Sequence, residues 1–227
     1  MNLAADLGEG GQWDEAILAV VDSASLGCGV HAGSPSITIS TALRCRELGV
    51  EIGAHPGYDD RDRYGRVELA LTASQIEALL AFQVASLAAV APIAYVKPHG
   101  ALYHRCEKDP QAAAAAARVA RHHGVGLLGQ PGREMLSAAH RAGIPAYREG
   151  YADRLLMPDG SLAPRNLAGA LLTPRNAAAQ AVRLAQSGHY DSLCVHGDTP
   201  GAADVVGAVR QALRESGVAT GPLARQG

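Results

Sequence analysis

The sequence predicts an α/β fold, a TIM-like parallel (β/α)7 barrel. Short apolar runs rich in Val, Ile, Leu and Ala alternate with longer helical stretches, which is the pattern of parallel strands joined by crossover helices. A (β/α)8 barrel uses about 250 residues, or roughly thirty per unit. About seven such units therefore suit a chain of 227 residues. An open doubly wound sheet fits the same alternation and stays open as an alternative.

The strands are predicted at seven apolar runs. In chain order they are Leu3–Ala5, Ala24–Cys28, Val50–Ala54, Ile93–Val96, Val125–Leu128, Pro145–Arg148 and Ser192–Val195.

Three of the stretches between these runs carry clear helix signals. TASQIEALLAFQVASLAAV offers Thr72 or Ser74 as an N-cap and repeats its apolar residues on one face. DPQAAAAAARVARHHG has Asp109 as N-cap, Pro110 at the first helical position and Gly124 just past its end, and we interpret it as a surface helix. DTPGAADVVGAVRQALRES is the last amphipathic helix. These elements predict one barrel domain over residues 1–217 and a flexible C-terminal tail over residues 218–227.

Composition excludes several classes of function. The net charge is -2 and no block of Lys and Arg is present, so neither nucleic acid nor an anionic membrane is an expected partner. A small neutral or anionic metabolite is expected instead, and a homo-oligomer stays open. The start, MNLAADLGEG, lacks the features of a signal peptide, and the apolar stretch 79–96 is too interrupted for a membrane span. Four cysteines without a C-x-x-C pair predict reduced thiols in a cytoplasmic protein.

Polar side chains follow six of the seven predicted strands. They are Asp6 and Glu9, His31, His55, Lys97 with His99, Glu149 with Asp153 and Arg154, and His196 with Asp198. The fifth strand is followed only by Gln130. In a parallel barrel these ends lie on one face, where loops build the active site. Four histidines that each follow a strand and precede a glycine therefore indicate a shared site.

The other histidines are predicted on the surface. They are His122, His123, His140 and His189, while His104 lies close enough to the site motifs to stay open. Glycines beside the polar groups, including Gly33, Gly57, Gly100 and Gly197, would let a ligand approach the backbone, although turns with positive φ explain them equally well.

The ordered motifs DLGEG, CGVHAG, IGAHPGY, VKPHGALY, YADR and VHGDTP resemble the LamB/YcsF family over nearly the whole chain. The resemblance implies a seven-unit barrel related to glycoside hydrolase and polysaccharide deacetylase barrels. It also implies a hydrolase acting on a cyclic amide, as one part of an ATP-dependent 5-oxoprolinase that opens 5-oxo-L-proline to L-glutamate. Its B and C subunits would be the partners.

The chain departs from the family pattern at four positions, Asn2, Ala4, Ser25 and Ser34. The family tends to carry a carboxylate at the positions of Asn2 and Ser34. If those carboxylates belong to a metal site, this chain would bind metal poorly or act on a different lactam.

The polar residues suggest roles in opening a lactam. Lys97 would neutralise a carboxylate or a developing oxyanion. One of Asp6, Glu9 or Asp198 would take a proton from water, and His99 or His196 would supply one to the nitrogen. Substrate contacts are predicted for His31, His55, Gly57, Gly100, Asp153 and Arg154. No G-x-x-x-x-G-K-[ST] loop is present, so ATP is expected on the partner subunits.

Two further interpretations stay open. A divalent metal such as Zn²⁺ could be held by Asp6 with two or three of His31, His55, His99 and His196, although no H-x-x-x-H pair fixes two ligands on one element. The chain could then be a stand-alone metal-dependent hydrolase of acetylated sugars or lactams, or it could be a non-catalytic lactam-binding subunit.

Overall fold

The computed structural model describes residues 1–157 and 161–225. Within these ranges, seven parallel strands close into a barrel in sequence order, with β1 paired to β7. The strands are β1 Asn2–Leu7, β2 Ser23–Gly27, β3 Glu51–His55, β4 Tyr95–Val96, β5 Gly126–Gly129, β6 Ala146–Tyr151 and β7 Ser192–His196. The predicted barrel is confirmed, and the open sheet is excluded because the first and last strands are hydrogen-bonded partners.

Helices surround the barrel. They are α1 Asp14–Leu18, α2 Pro35–Leu48, α3 Ala73–Ala88, α4 Gly100–Cys106, α5 Pro110–His122, α6 Glu134–Ala142, α7 Pro174–Gln186 and α8 Ala202–Glu215. Thr72 caps α3 in a reciprocal box with Gln75, and Asp109 accepts hydrogen bonds from two backbone N–H groups at the start of α5. No helix in the described ranges has the length and apolar character needed to cross a membrane.

The interpretation of α5 as a plain surface helix is wrong. Seven of its residues are buried, six of them alanines. The helix packs against α3 and α6, and small side chains allow the close approach of neighbouring helices. The alanine tract therefore forms part of the core.

The lower half of the barrel is filled by a polar layer. Tyr95 crosses the interior, and its hydroxyl lies 3.2 Å from the Ser25 hydroxyl and 3.3 Å from that of Ser23. At the N-terminal end of β1, Asn2 Oδ1 accepts hydrogen bonds from the hydroxyls of Ser23 and Ser192. This layer occupies the interior at the N-terminal ends of the strands.

The segment predicted as a flexible tail lies partly against the bottom of the barrel. The Leu223 side chain is only 1% exposed, and Glu51 accepts hydrogen bonds from the backbone N–H groups of Leu223 and Ala224. Residues 226 and 227 lie outside the described residues. The domain boundary at residue 217 stays a prediction.

Candidate functional site

A cavity of about 420 Å³ opens at the C-terminal ends of the strands, which is a size suited to a small metabolite. Side chains from five strands or strand ends form its floor, and cationic side chains from the loops line its mouth. The floor comprises Asp6, His55, Lys97, His99, Tyr151 and His196, and the mouth comprises Arg66, Lys108, Arg133, Arg154 and Arg165. The predicted convergence of polar residues on one face is thus what the structure shows.

A buried charge cluster surrounds Lys97. Its Nζ lies 2.8 Å from Asp6 Oδ1 and 2.7 Å from Glu149 Oε1, and it donates to Cys194 Sγ at 3.2 Å. The hydroxyl of Tyr151 donates to Glu149 Oε2 at 2.8 Å. All of the ammonium donors therefore already face protein acceptors.

Burial and neighbouring charges shift the pKa values of the groups in this cluster. Burial alone would lower the pKa of Lys97, but the Asp6 carboxylate, aided by Cys194 and Glu149, raises it well above its usual value. Burial alone would raise the pKa of Asp6, but His55, Lys97 and His196 together hold it well below its usual range. Burial raises the pKa of Glu149, an effect that Lys97 opposes. Lys97 and Asp6 therefore remain an ion pair at neutral pH.

His196 and Asp153 form a second pair on the cavity floor. His196 Nδ1 lies 3.0 Å from Asp153 Oδ2, which also accepts the backbone N–H of His196 at 3.0 Å. The imidazole stacks on the Tyr151 ring, with 5.6 Å between centroids. Burial alone lowers the pKa of His196, but Asp153 raises it above its ordinary value. Asp153 thus orients the histidine and favours its protonated form, while the substrate contact predicted for Asp153 stays a prediction.

A group of three histidines and one carboxylate lies on the other side of the floor. The rings of His31 and His99 are stacked with 4.0 Å between centroids, and His31 Nε2 lies 2.9 Å from Glu9 Oε1. His99 Nδ1 lies 3.0 Å from His55 Nε2. Burial lowers the pKa of His55 to about 3 and that of His99 well below its usual value, so both rings are neutral.

Asp198 occupies the mouth and not the floor. Arg66 and Arg165, which come from two different loops, both bond its carboxylate. Although burial alone would raise the pKa of Asp198, these arginines and His196 lower it to about 2. A carboxylate this well paired is a weak base.

The two predicted glycines differ in their surroundings. Both backbone polar groups of Gly57 bond the Gln83 side chain, and a Cβ at Gly57 would lie 2.6 Å from His31 Nδ1. Gly57 therefore makes room for a ring, and its N–H already has a partner. Gly100 lines the cavity with φ of +55°.

The departures from the family pattern at Asn2 and Ser34 lie outside the cavity floor. Asn2 belongs to the polar layer at the bottom of the barrel, and Ser34 caps α2 by accepting the Ile37 N–H at 3.2 Å. The expectation that these departures would weaken a metal site stays a prediction.

Several residues of the site were not predicted. Cys194 lies two residues before His196 on β7, and Tyr151 lies two residues after Glu149 on β6. Since side chains two positions apart on a strand point to the same face, this spacing could have predicted that both residues face the barrel interior. Tyr64, Arg66 and Arg165 come from loops, where no such periodicity exists. The surface prediction holds for His122, His140 and His189, which are exposed. His123 is half-buried, and His104 is an exposed residue that lines the cavity mouth.

Among the residues that the structure describes, two groups of side chains could hold a metal ion. One comprises Asp6, Cys194 and His196, and the other comprises Glu9, His31 and His99.

Comparisons with known proteins agree with this architecture. The model of the LamB/YcsF family matches residues 1–227. A Streptomyces coelicolor protein named as the A subunit of 5-oxoprolinase is 41% identical, over 99% of this chain and 100% of its own length. The crystal structure of a lactam utilization protein from Thermus thermophilus is 33% identical with a TM-score of 0.89, covering 99% of both chains. A family 4 carbohydrate esterase from Streptomyces lividans, 10% identical over 100% of this chain and 93% of its own, shares the fold alone, with a TM-score of 0.58.

Proposed function

The chain belongs to the LamB/YcsF family, and from this premise we propose that it is the lactam-opening subunit of an ATP-dependent 5-oxoprolinase. The observation that carries the proposal is the cavity floor, where the buried Lys97 ion pair adjoins a histidine whose Nδ1 is paired with the Asp153 carboxylate. Relatives named as the A subunit of that enzyme support the assignment of the substrate.

The cationic mouth suits the carboxylate of 5-oxoproline. Arg154 lies in the cavity wall, its Nη2 donates to the Ala163 carbonyl at 2.6 Å, and its Nε has no partner among the described residues. Arginine recognises carboxylates through paired N–H donors. Because the donors of Lys97 already face protein acceptors, we assign the substrate carboxylate to Arg154 and not to Lys97.

Ring opening adds water to the carbonyl carbon, breaks the C–N bond and delivers a proton to the nitrogen. His196 is the proton donor in this proposal, because Asp153 raises its pKa and leaves Nε2 for the substrate. Lys97 keeps Asp6 ionised and supplies positive charge beneath the reacting carbonyl. Glu9 and its neighbouring histidines orient the attacking water.

ATP would act on partner subunits. The chain lacks the phosphate-binding lysine loop, and a five-membered lactam is a stable amide whose carbonyl oxygen can be activated by phosphorylation. The B and C subunits would transfer a phosphoryl group from ATP to the lactam oxygen, releasing ADP, and pass the O-phosphorylated lactam into the cavity. Addition of water and cleavage of the C–N bond would then leave glutamyl phosphate, and its hydrolysis would release glutamate and phosphate.

The test is glutamate release from 5-oxoproline and ATP, measured with this chain alone, with its cognate B and C subunits alone, and with all three. We expect release only from the complete mixture. His196→Ala should lower the rate by about 100-fold or more, the usual value of a general acid, whereas His122→Ala, at an exposed position, should not.

Three results would contradict the proposal in different ways. Release by B and C alone would make this chain dispensable. Full activity of the His196 and Lys97 variants would make it a non-catalytic binding subunit. Release by this chain without ATP would identify a stand-alone hydrolase.

A further inference from the structure

The protein backbone determines which ring nitrogens of two histidines carry protons. His55 Nδ1 lies 2.8 Å from the Lys97 carbonyl oxygen, and His99 Nε2 lies 2.9 Å from the Tyr64 carbonyl oxygen. Because a carbonyl oxygen can only accept a hydrogen bond, each of these nitrogens carries the ring proton. In the neutral rings, His55 Nε2 and His99 Nδ1 are therefore acceptors with free lone pairs.

These two lone pairs face each other across 3.0 Å. Glu9 Oε1 is a third acceptor at the same place, 3.3 Å from His99 Nδ1 and 3.9 Å from His55 Nε2. It also lies 2.9 Å from His31 Nε2. Electron-rich atoms at these separations in a buried place repel one another unless a cation lies among them.

We propose that Glu9, His31, His55 and His99 form a binding site for a divalent first-row transition metal ion, with Zn²⁺ as the best match. With bonds of about 2.0–2.1 Å, the ligand atoms of a tetrahedral zinc site lie about 3.3 Å apart. Four of the six separations between these ligand atoms run from 2.9 to 3.9 Å. Imidazole nitrogens favour zinc and its transition-metal neighbours over Mg²⁺ and Ca²⁺.

The residues around the group have the features of the surroundings of metal sites in proteins. Ligand histidines usually donate their second N–H to a carbonyl or carboxylate, as His55 and His99 do here. The carbonyl that holds His99 belongs to Tyr64, which adopts a φ of +58°. That left-handed conformation costs a non-glycine residue about 1 kcal/mol or more and tends to occur at functional sites.

Packing contacts fix the position of the His31 ring. Its ring stacks on His99, and the missing side chain of Gly57 provides the space on its other edge. Metal binding at His31 Nε2 places the ring proton on Nδ1, which has no hydrogen-bond partner among the described residues.

The second group of possible metal ligands, which comprises Asp6, Cys194 and His196, is the weaker candidate. Lys97 Nζ lies 2.8 Å from Asp6 Oδ1 and 3.2 Å from Cys194 Sγ, so an ammonium already supplies the positive charge there. A metal ion at this place would be repelled by that ammonium.

The metal site occupies the same cavity as the proposed function. The use of the ion in ring opening rests on that function, whereas its binding rests on the geometry alone. A bound ion would polarise a carbonyl or lower the pKa of a bound water.

The experiment is a Co²⁺ titration of the full chain, first freed of metal with a chelator, followed by visible absorption and calorimetry. We expect one equivalent of Co²⁺ to bind with the absorption bands of a low-coordinate nitrogen and oxygen site, and Zn²⁺ to displace it. Glu9→Gln and His99→Ala should each weaken binding by about 100-fold. His104→Ala is the matched control, because this exposed histidine lies at the same cavity. Circular dichroism of the metal-free variants establishes that they are folded.

Failure of folded wild-type chain to bind Co²⁺ or Zn²⁺ at millimolar concentration would overturn the proposal, as would equal binding by the Glu9 and His99 variants. Glutamate release by the complete mixture, prepared with metal-free chain and a chelator, would show that the ion takes no part in catalysis. The proposed function would then remain intact. Stoichiometric binding without glutamate release would support the metal site and count against the proposed lactam.

Discussion

Replacement of Lys97 by methionine removes the only cation in contact with two buried carboxylates in the described part of the cavity floor. Asp6 and Glu149 are 7% and 0% exposed, and each has an oxygen within 2.8 Å of Lys97 Nζ. Removing one partner from a buried ion pair costs about 3–5 kcal/mol because the remaining charge stays desolvated. We expect Lys97→Met to lose that much free energy of unfolding at pH 8.

The loss should shrink as the pH falls. In the wild type the pKa of Asp6 is held below its unfolded value, so its stabilising contribution is complete above the unfolded pKa of about 3.8 and is lost only at still lower pH. In the variant, burial without the ammonium favours protonated carboxyls, whose pKa values rise. These groups take up protons at pH 5, and the variant regains part of its stability relative to the wild type.

Guanidinium unfolding followed by circular dichroism at pH 8 and pH 5 measures both effects. Lys108→Met is the matched control, since Lys108 is the other lysine of the chain and is exposed. Its stability should stay within about 0.5 kcal/mol of the wild type. Lys97→Met combined with Glu149→Gln should recover at least about 1 kcal/mol relative to the single variant. The reasoning fails if Lys97→Met is as stable as the control at pH 8, or if its deficit is the same at pH 5.

Three further predictions concern other groups around the cavity. Asp153→Asn should shift the alkaline limb of the pH profile of kcat/KM to lower pH, because the histidine that it holds loses the carboxylate that raises its pKa. Burial raises the pKa of Glu107 to about 7, so its stabilising effect is complete below its unfolded pKa and is lost as the pH rises through 7. Glu107→Gln should therefore gain up to about 3 kcal/mol of stability relative to the wild type between pH 4 and pH 8, measured by urea unfolding. Gly57→Ala should cost about 1–3 kcal/mol and weaken Co²⁺ binding, since the new Cβ would displace the His31 ring.

Each of these predictions has a control or a contrary result. Gly207→Ala, in α8 and with no atom from beyond its neighbouring residues and its own helix backbone within 4 Å of the place that its Cβ would take, should stabilise the chain instead. Glu47→Gln, at an exposed position, should show no comparable pH dependence. An Asp153→Asn profile whose alkaline limb does not move would exclude His196 as the proton donor.

Local patterns in the chain account for most of the barrel. Each predicted strand overlaps an observed one, because an apolar run bounded by helix caps leaves few other options for a buried segment. Asp109 and Thr72 mark helix starts through hydrogen bonds to residues two or three positions away, which is why they can be read directly. The burial of α5 could not be read in this way, since alanine suits both a surface helix and a tightly packed one.

The sequence by itself determined that the polar groups following the strands reach the cavity face, because such groups must emerge at the same end of a parallel barrel. Only the tertiary structure decided how those residues are paired. Lys97 meets Asp6 across 91 positions of the chain, and His99 meets His55 across 44. Such distances depend on barrel closure, on the register of strands far apart in the chain and on loops without periodicity. They separate the pair of His196 and Asp153 from the group of histidines around Glu9, although both are built from the same residue types.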